Sequence, residues 1–370
     1  MIQNIGVISK VQSSMKKILK ITLRITGLVV LVLLFSFLSL LAFLHFTEFK
    51  PVTLSADLPC GGIGMPEPGK VITFFSWNIG YAGMGKEMDF FYDGGHRTRQ
   101  SKLQTLACLA GIRQVIGSYD TIPFIFLQEV DRCSKRSWDL DEFEEISTIF
   151  SGHTKWFSKN YECRFVPVPL ANPMGRVLSG ITTFSKFQPV SWETRYYYSD
   201  FPWPMRLVML KRCFNLFRFP LHNKKDLIVV NLHNSAYDST GILREKELMI
   251  LDSTLNTEYR KGNFIIAGGD WNINPKGFKT ERIRTKDVVM KSDPPFPEHI
   301  LTGWQFVFDP GIPSERYTDE GYLKGRTRTT ILDFFVVSPN IRVLGIETAD
   351  LGFKWSDHNP VIMKVILGNP

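Results

Sequence analysis

Apolar residues are distributed in two different ways along the chain. From Ile25 to Leu44, twenty consecutive residues carry no charge and are rich in Leu, Val and Phe. From Val71 onward, shorter apolar runs alternate with polar stretches. Twenty helical residues span about 30 Å, which is the thickness of the hydrocarbon core of a bilayer. The pattern therefore predicts one transmembrane helix followed by a folded α/β domain.

The apolar runs of the folded part predict more strands than helices. Two segments, 99–118 and 243–260, have apolar residues three and four positions apart and are predicted to be amphipathic helices. Apolar runs without strict alternation are typical of strands covered on both faces. Such runs lie at 71–79, 122–130, 180–187, 190–198, 226–233, 263–270, 330–338 and 359–367. Because several strands follow one another directly, two packed sheets flanked by helices are expected.

Charge divides the chain around the apolar helix. Five Lys or Arg residues precede it, whereas only Glu48 and Lys50 follow it closely. The positive-inside rule therefore predicts a cytoplasmic N-terminus and an extracytoplasmic domain in the cell membrane. A cleavable signal peptide is the alternative, but its apolar stretch would be shorter and followed by a small-x-small cleavage site. The predicted segments are a basic N-terminus (1–24), a transmembrane signal anchor (25–47), a Pro- and Gly-rich tether (48–70) and one domain (71–370).

The net charge of +8 is concentrated near the predicted anchor. The first 50 residues contribute +5, which leaves +3 for the other 320 residues. A basic cluster beside a membrane span suits anionic lipid headgroups, whereas a nucleic-acid-binding domain usually has a stronger basic bias than +3. The five cysteines are widely spaced and form no Cys-x-x-Cys pair, so neither a zinc site nor a disulfide framework is indicated.

Polar residues stand at the ends of the predicted apolar strands. Asp270 and Asn272 end the run at 263–270, and strand alternation would point both side chains off the carboxyl end of the sheet. Open α/β sheets bind ligands at such ends. Acidic side chains are seldom buried without partners, so a shared site is expected, although each residue taken singly could be a turn, cap or core residue. The other members of the set are Asn78, Glu129, His233, Asp333, Asp357 and His358.

Six motifs carry these residues, and together they resemble the endonuclease/exonuclease/phosphatase superfamily. In chain order they are SWNIG, LQEVD, NLHNSAYD, GGDWN, LDFF and SDHNP. This is the metal-dependent family related to pancreatic DNase, abasic-site endonucleases, neutral sphingomyelinases and inositol polyphosphate 5-phosphatases. The resemblance spans 71–360 and implies a four-layered α/β/β/α sandwich of the DNase I type.

The resemblance also implies a metal site. Glu129 corresponds to the principal ligand, with Asn78 beside it and Asp357 as a further contact. Oxygen ligands from few carboxylates suit Mg²⁺, which keeps several waters and binds substrate phosphate. Mg²⁺ is therefore the expected cofactor, with Mn²⁺ as a second candidate.

The resemblance assigns catalytic roles to five residues. Asp270 corresponds to the acid that positions or deprotonates the attacking water, and Asn272 to the amide that holds the scissile phosphate. His358 corresponds to a phosphate-facing histidine whose ring is oriented by Asp333. His233 corresponds to a second such histidine and is the candidate proton donor to the leaving oxygen. Further candidates for substrate binding are Asn234, Arg176 and Ser179.

These expectations favour a membrane-anchored, Mg²⁺-dependent phosphodiesterase, with a nuclease as the first candidate. A phospholipid headgroup phosphodiesterase or phosphatase is the alternative, because an anchor would hold the domain beside a lipid substrate. A non-catalytic scaffold domain is a third hypothesis, although such a relative would be expected to have lost part of the polar set. The expected partners are a phosphoester substrate and the membrane, and no protein partner is indicated.

Overall fold

The computed structural model describes residues 2–58, 64–197, 201–221, 224–236, 238, 240–279, 289–290 and 294–368. Residues 59–63 of the predicted tether lie outside the described residues. The chain separates into two compact units, Met1–Glu48 and Phe49–Pro370.

The N-terminal unit is one helix, α1 (Ile2–Phe46). Its segment Ser14–Phe46 is, by length and composition, long and apolar enough to cross a membrane. The helix covers the predicted anchor up to Phe46 and continues back through the basic residues that precede it.

The second unit contains three further α-helices and sixteen described strands. The helices are α2 (Lys102–Gly117), α3 (Glu142–Ser147) and α4 (Ile242–Arg260), with short 3-10 helices at Gly80–Ala82, Phe91–Asp93, Lys135–Ser137 and Met205–Leu207. The strands are β1 (Leu54–Asp57), β2 (Val71–Asn78), β3 (Phe124–Asp131), β4 (Thr154–Val166), β5 (Gly175–Ser185), β6 (Ser191–Tyr196), β7 (Cys213–Pro220), β8 (Asp226–His233), β9 (Phe264–Asp270), β10 (Val289–Met290), β11 (Gln305–Val307), β12 (Glu315–Arg316), β13 (Arg328–Thr330), β14 (Asp333–Val337), β15 (Ile341–Thr348) and β16 (Val361–Leu367).

Two large sheets pack face to face, and helices cover their outer faces. One sheet has the order β1-β6-β7-β8-β9-β14-β11 and the other β15-β16-β2-β3-β5-β4, while β10, β13 and β12 form a small third sheet. Phenylalanines from both sheets, including Phe74, Phe126, Phe217 and Phe335, fill the interface between them. Leucines of α4 pack on the outer face of the first sheet, and α2 and α3 pack on that of the second. The four layers are therefore α/β/β/α.

Each large sheet contains one parallel pair at its centre. In one sheet β2 runs parallel to β3, and in the other β8 runs parallel to β9. Neighbouring parallel strands end at the same edge of a sheet, so the last residues of each pair lie close together. Those last residues include Asn78, His233 and Asp270.

Two consecutive glycines let β9 lie tightly between its neighbours. A Cβ on Gly268 would lie 2.3 Å from the ring of Phe335 on β14, and one on Gly269 would lie 2.1 Å from the carbonyl oxygen of Leu232 on β8. The φ of Gly269 is also +141°, a conformation that favours glycine. The glycines of the GGDWN motif therefore place Asp270 in register with its neighbours.

The structure differs from the predicted pattern in two respects. The predicted tether is not all linker, because β1 pairs with β6 and adds an edge strand to the first sheet. The apolar pattern also failed to predict the short strands β10 to β13 and three longer strands, β4, β7 and β15. Each of the three longer strands carries charged or polar residues along its length, such as Lys159 in β4 and Asn215 in β7, which hid it from a search for apolar runs.

Candidate active site

A cavity of about 270 Å³ opens where the carboxyl ends of the two parallel pairs meet. Six of the predicted site residues line it: Glu129, His233, Asp270, Asn272, Asp357 and His358. The other two members of the strand-end set lie directly behind. The amide of Asn78 donates to Asp270 at 2.9 Å, and a carboxylate oxygen of Asp333 lies 2.7 Å from His358 Nδ1.

Glu129 reaches the cavity because the backbone of β3 is irregular at this residue. Its φ is +54°, and the pairing of β3 with β5 shifts register between Leu127 and Val130. Such a bulge re-aims a side chain that regular alternation would place elsewhere. A non-glycine residue in this region costs on the order of 1–3 kcal/mol, which the surrounding structure must offset. Tyr81 and Asn272, which also line the cavity, have positive φ as well.

Asp270 is almost fully buried at the floor of the cavity. Its Oδ1 accepts the backbone N–H of Asn272 at 3.0 Å, and its Oδ2 lies 3.3 Å from His233 Nε2 and 3.9 Å from His358 Nε2. Burial alone would raise the pKa of Asp270, but His233, the charge of His358 and the amide of Asn78 reverse this and hold it well below its ordinary value. Asp270 is therefore ionised at neutral pH.

Asn272 lies beside Asp270 because of a turn, not because of strand alternation. β9 ends at Asp270, and the left-handed backbone of Asn272 (φ +51°) turns the chain there. Its side-chain amide donates to the carbonyl of Asn234 at 2.9 Å, and Arg244 Nη1 donates to its own carbonyl at 3.1 Å. The sequence predicts that Asn272 lies at the site. The contacts that hold it there, with Asn234 and Arg244, are visible only in the structure.

His358 is a buried histidine that carries a positive charge. Its backbone carbonyl accepts from the indole of Trp77 at 2.8 Å, which fixes the loop before β16. Burial opposes the charged ring, but the carboxylates of Asp333, Asp270 and Asp357 outweigh it and hold the pKa of His358 well above its ordinary value. An imidazolium is a hydrogen-bond donor at both nitrogens, so Nε2 is a donor on the cavity side.

His233 is equally buried but has an arginine as its nearest partner. Nε2 lies 2.6 Å from Arg212 Nη1. The same Nε2 also lies 3.3 Å from Asp270 Oδ2 and 3.8 Å from Glu129 Oε1, so it faces a cationic donor and two carboxylates. Nδ1 is buried and has no hydrogen-bond partner among the described residues. Burial and the charge of Arg212 lower the pKa of His233. His233 is therefore neutral.

The acidic side of the cavity fits a divalent cation. Burial raises the pKa of Asp357 to about 6 against the opposing charge of His358, and the carboxylate of Glu129 adds to the rise. Uncompensated negative charge of this kind is what a bound cation relieves. Within the described ranges no cluster of three or more His, Cys, Asp or Glu side chains is arranged to hold a metal ion. Two carboxylates with open positions suit Mg²⁺, which retains waters and takes ligands from its substrate.

The structure does not bring the three further candidates for substrate binding into the cavity wall. Asn234 is buried and accepts from the hydroxyl of Tyr197 at 2.6 Å. Ser179 is buried in β5 and contacts the carbonyl of Val130. Arg176 is exposed and pairs with Asp139 at 3.1 Å. Each of the three therefore has a partner within the protein, and none of them is among the residues that line the cavity.

The cavity residues that the sequence patterns did not predict include Tyr81, Arg136, Arg212 and Arg244. Tyr81 and Arg136 stack, with the guanidinium 3.7 Å from the ring centroid, and Arg136 also pairs with the buried Asp131. Arg212 and Arg244 also line the cavity. None of the four ends an apolar run. Arg212 directly precedes β7, so a prediction of that strand would have pointed to this charged residue at its start.

The fold and the cavity define a class of protein: an α/β/β/α sandwich with a polar, partly acidic site at the strand ends. The chain matches the Endonuclease/Exonuclease/phosphatase family over residues 75–358, most of its length, and belongs to that family. The predicted fold and family are thereby confirmed. Members of the family are typically hydrolytic phosphoesterases. No curated protein matches the chain.

Three solved structures are similar to the chain in fold. An endonuclease/exonuclease/phosphatase from Beutenbergia cavernae has 16% identity and a TM-score of 0.55, covering 80% of this chain and 72% of its own. One from Bacteroides vulgatus has 14% identity and a TM-score of 0.52, with coverages of 80% and 99%. TDP2 from Caenorhabditis elegans has 11% identity and a TM-score of 0.50, with coverages of 81% and 75%. At these identities the likeness concerns the fold alone.

Proposed function

We propose that the domain is a Mg²⁺-dependent phosphodiesterase that hydrolyses a phosphoester bond by attack of water. One observation carries the proposal: a single cavity holds an ionised carboxylate, Asp270, 3.9 Å from a charged imidazole, His358, with two further carboxylates on its acidic side. Phosphoryl transfer to water needs a group that handles a proton and donors that stabilise negative charge.

Asp270 and His358 take complementary roles in this proposal. Asp270 accepts a hydrogen bond from the attacking water and orients it, since its carboxylate is ionised and faces the cavity. His358 donates from Nε2 to a phosphoryl oxygen, and Asp333 holds the ring by accepting from Nδ1. Asn272 lines the same cavity, and its backbone carbonyl accepts from Arg244 Nη1. In this proposal its carboxamide contacts the substrate phosphate.

Glu129, Asp357 and Asn78 are the residues that would hold Mg²⁺, and Mn²⁺ suits the same oxygen ligands. Bound there, the ion would neutralise charge on the phosphoryl group. The bulge that aims Glu129 into the cavity supports this assignment, because strained backbone of this kind clusters at functional sites.

A nucleic acid is the proposed substrate. Tyr81, Phe90 and Tyr92 stand on the cavity wall beside the polar residues, and aromatic faces next to a phosphate site suit stacked bases. A phospholipid headgroup is the second candidate. It is favoured by the apolar helix α1, which in this proposal anchors the chain in the cell membrane with its N-terminus in the cytoplasm and its domain outside.

Hydrolysis assays on the full-length chain in detergent micelles would test the proposal. The substrates are single- and double-stranded DNA, RNA, sphingomyelin and phosphoinositides, each with Mg²⁺ and with EDTA. Asp270→Ala and His358→Ala are the inactivating variants, and Arg176→Ala, an exposed residue outside the cavity, is the matched control.

Cleavage of one substrate class that disappears in both variants and with EDTA, but not in the control, is the expected result. Cleavage that persists in Asp270→Ala would refute the proposed site. An absence of turnover together with an absence of Mg²⁺ binding would favour the scaffold hypothesis.

A further inference from the structure

One side of the cavity is formed by a stretch of chain that is hydrogen-bonded to its neighbours at both ends. Residues 86–99, which we call the rim segment, contribute three residues to the cavity wall: Phe90, Tyr92 and Asp93. The backbone N–H of Phe90 donates to the carbonyl of Thr318 at 2.6 Å, and the hydroxyl of Thr318 donates to Asp93. Thr318 directly follows Tyr317, which also lines the cavity. The rim segment is thus joined to the wall that carries Tyr317.

The other end of the rim segment is joined to the loop between β4 and β5. The hydroxyl of Thr98 donates to the backbone carbonyl of Asn172 at 2.8 Å, and Arg99 Nη2 donates to the side-chain oxygen of the same residue at 3.0 Å. Met174, two positions further along, lines the cavity. Three stretches of wall, those of Tyr317, of the rim segment and of Met174, are therefore bonded to one another in series.

The rim segment is folded compactly on itself. The carboxylate of Asp89 accepts from the backbone N–H of His96 at 3.0 Å. A Cβ on Gly95 would lie 2.5 Å from the carbonyl carbon of Asp89, so glycine is needed for this close approach. The guanidinium of the buried Arg316 donates to the carbonyl of Met88 at 3.1 Å. These contacts fix the shape of the segment.

A wall of this kind restricts how a polymer can lie in the site. An internal phosphodiester continues in both directions from the scissile phosphorus, whereas a terminal phosphodiester continues in only one. The cavity volume of about 270 Å³ is also small compared with the range of about 300–1,000 Å³ for ligand pockets. A strand that continued through the rim side would have to break both hydrogen bonds that Thr318 makes with the rim segment.

We propose that the rim segment restricts the site to the terminal phosphodiester of a nucleic-acid strand, with Tyr92 as the specificity-determining residue. The inference rests on the proposed phosphoesterase function and deepens it. Tyr92 is 38% exposed, whereas Phe90 is 7% exposed, so the ring of Tyr92 stands at the mouth of the cavity. An aromatic ring in this position stacks on an unpaired terminal base. No bond forms or breaks beyond the proposed hydrolysis, in which one water cleaves one P–O bond and releases one terminal nucleotide.

Linear and circular DNA of the same sequence test the inference. A single-stranded circle and the same circle opened at one bond differ only in the presence of ends. Initial rates of hydrolysis of both are measured with the full-length chain in detergent micelles and Mg²⁺, and the first products are identified by mass spectrometry. Binding of both DNAs is measured by fluorescence anisotropy with Asp270→Asn, which slows turnover.

Three variants examine the role of the rim segment. Tyr92→Ala removes bulk at the mouth of the cavity. Thr318→Val keeps the size of the side chain but removes the hydroxyl that donates to Asp93. His96→Ala is the matched control, because His96 belongs to the same segment but has a side chain that is 89% exposed and does not line the cavity. Thermal unfolding of each variant shows whether the fold is retained.

The linear strand is expected to be hydrolysed about 100-fold faster than the circle, which is about tenfold for each of the two hydrogen bonds that an internal segment would break. Single nucleotides should be the first products. Thr318→Val should lower the ratio of the two rates by about tenfold, because one of the two bonds is lost. Tyr92→Ala should also lower it by admitting the circle, and His96→Ala should leave it unchanged.

Equal initial rates on the circle and the linear strand in the wild type would overturn the inference, as would a ratio that neither Tyr92→Ala nor Thr318→Val lowers. Hydrolysis of lipid headgroups alone would also overturn it. In each of these cases, hydrolysis that disappears in Asp270→Ala leaves the proposed function standing. If nothing is hydrolysed but Asp270→Asn binds the linear strand more tightly than the circle, the proposed function fails and the inference stands. Equal binding without hydrolysis would overturn both.

Discussion

Two regions of the cavity, each built around one histidine, are alike in burial and opposite in charge. We call them the His358 corner and the His233 corner. His358 and His233 are 6% and 1% exposed, and both rings approach the same oxygen of Asp270. One ring has the carboxylate of Asp333 behind it, and the other has the guanidinium of Arg212 against it. Their pKa values therefore move in opposite directions. The same side chain, placed at the end of β8 in one case and in the loop before β16 in the other, thus takes its charge state from its partner.

The largest expected effect follows from removing the negative charge of Asp270, which lies near both histidines. Asp270→Asn keeps the size of the side chain but deprives both rings of a nearby carboxylate. We expect hydrolysis to fall by about 10³-fold, within the range of about 10²–10⁴ for loss of a general acid or base. Steady-state kinetics on the substrate identified in the panel measures this change. A rate within tenfold of the wild type would mean that Asp270 does not handle the attacking water.

The next effect concerns the His358 corner alone. Asp333→Asn removes a carboxylate that holds the pKa of His358 up. The charged form of His358 is present below its pKa, so its loss should begin at a lower pH in the variant. We expect the alkaline limb of the pH–rate profile to move to lower pH and the maximal rate to fall by about 10²-fold.

Asp333→Asn also tests how the pair formed by Asp333 and His358 contributes to stability. A histidine whose pKa is raised in the folded state stabilises the fold fully below its unfolded value of 6.5, and this contribution is lost as pH rises through the folded pKa. The difference in unfolding free energy between wild type and Asp333→Asn should therefore shrink at alkaline pH. A difference that does not change with pH would show that the pair is not charged as described.

The third prediction tests the His233 corner by spectroscopy. Nitrogen NMR at pH 7 should find His233 neutral and His358 protonated on both nitrogens. Arg212→Met removes a positive charge that lowers the pKa of His233, so that pKa should rise toward 6.5. The pKa of His358 should change much less. A charged His233 ring in the wild type at pH 7 would contradict this assignment.

The smallest effect is expected outside the cavity. Arg176→Ala removes an exposed ion pair with Asp139, and such pairs contribute only about 0–1 kcal/mol to stability. Hydrolysis, phosphate affinity and the pKa values of both histidines should match those of the wild type. A loss of activity in this variant would extend the substrate site beyond the cavity.

Most of the framework could be predicted from the sequence because it depends on local patterns. Buried parallel strands have continuous apolar runs, which located β2, β3, β8 and β9 and the polar residues that end them. The strands β4 and β7 were missed because polar residues interrupt their apolar runs, and some of these residues bond to a neighbouring strand. Asn215, for example, accepts from Thr194 on β6. Tertiary pairing outweighs local pattern in such strands.

Local patterns in the sequence are enough to predict which residues lie near the strand ends, the order of the motifs and a helix long enough to cross a membrane. The charge states of those residues depend on the tertiary structure. Asp333 meets His358 across 25 positions and Arg212 meets His233 across 21, through sheet register that no local period encodes. Since a pKa depends on burial and on the charge a few ångströms away, the chemistry of the two histidines was set when the strands paired.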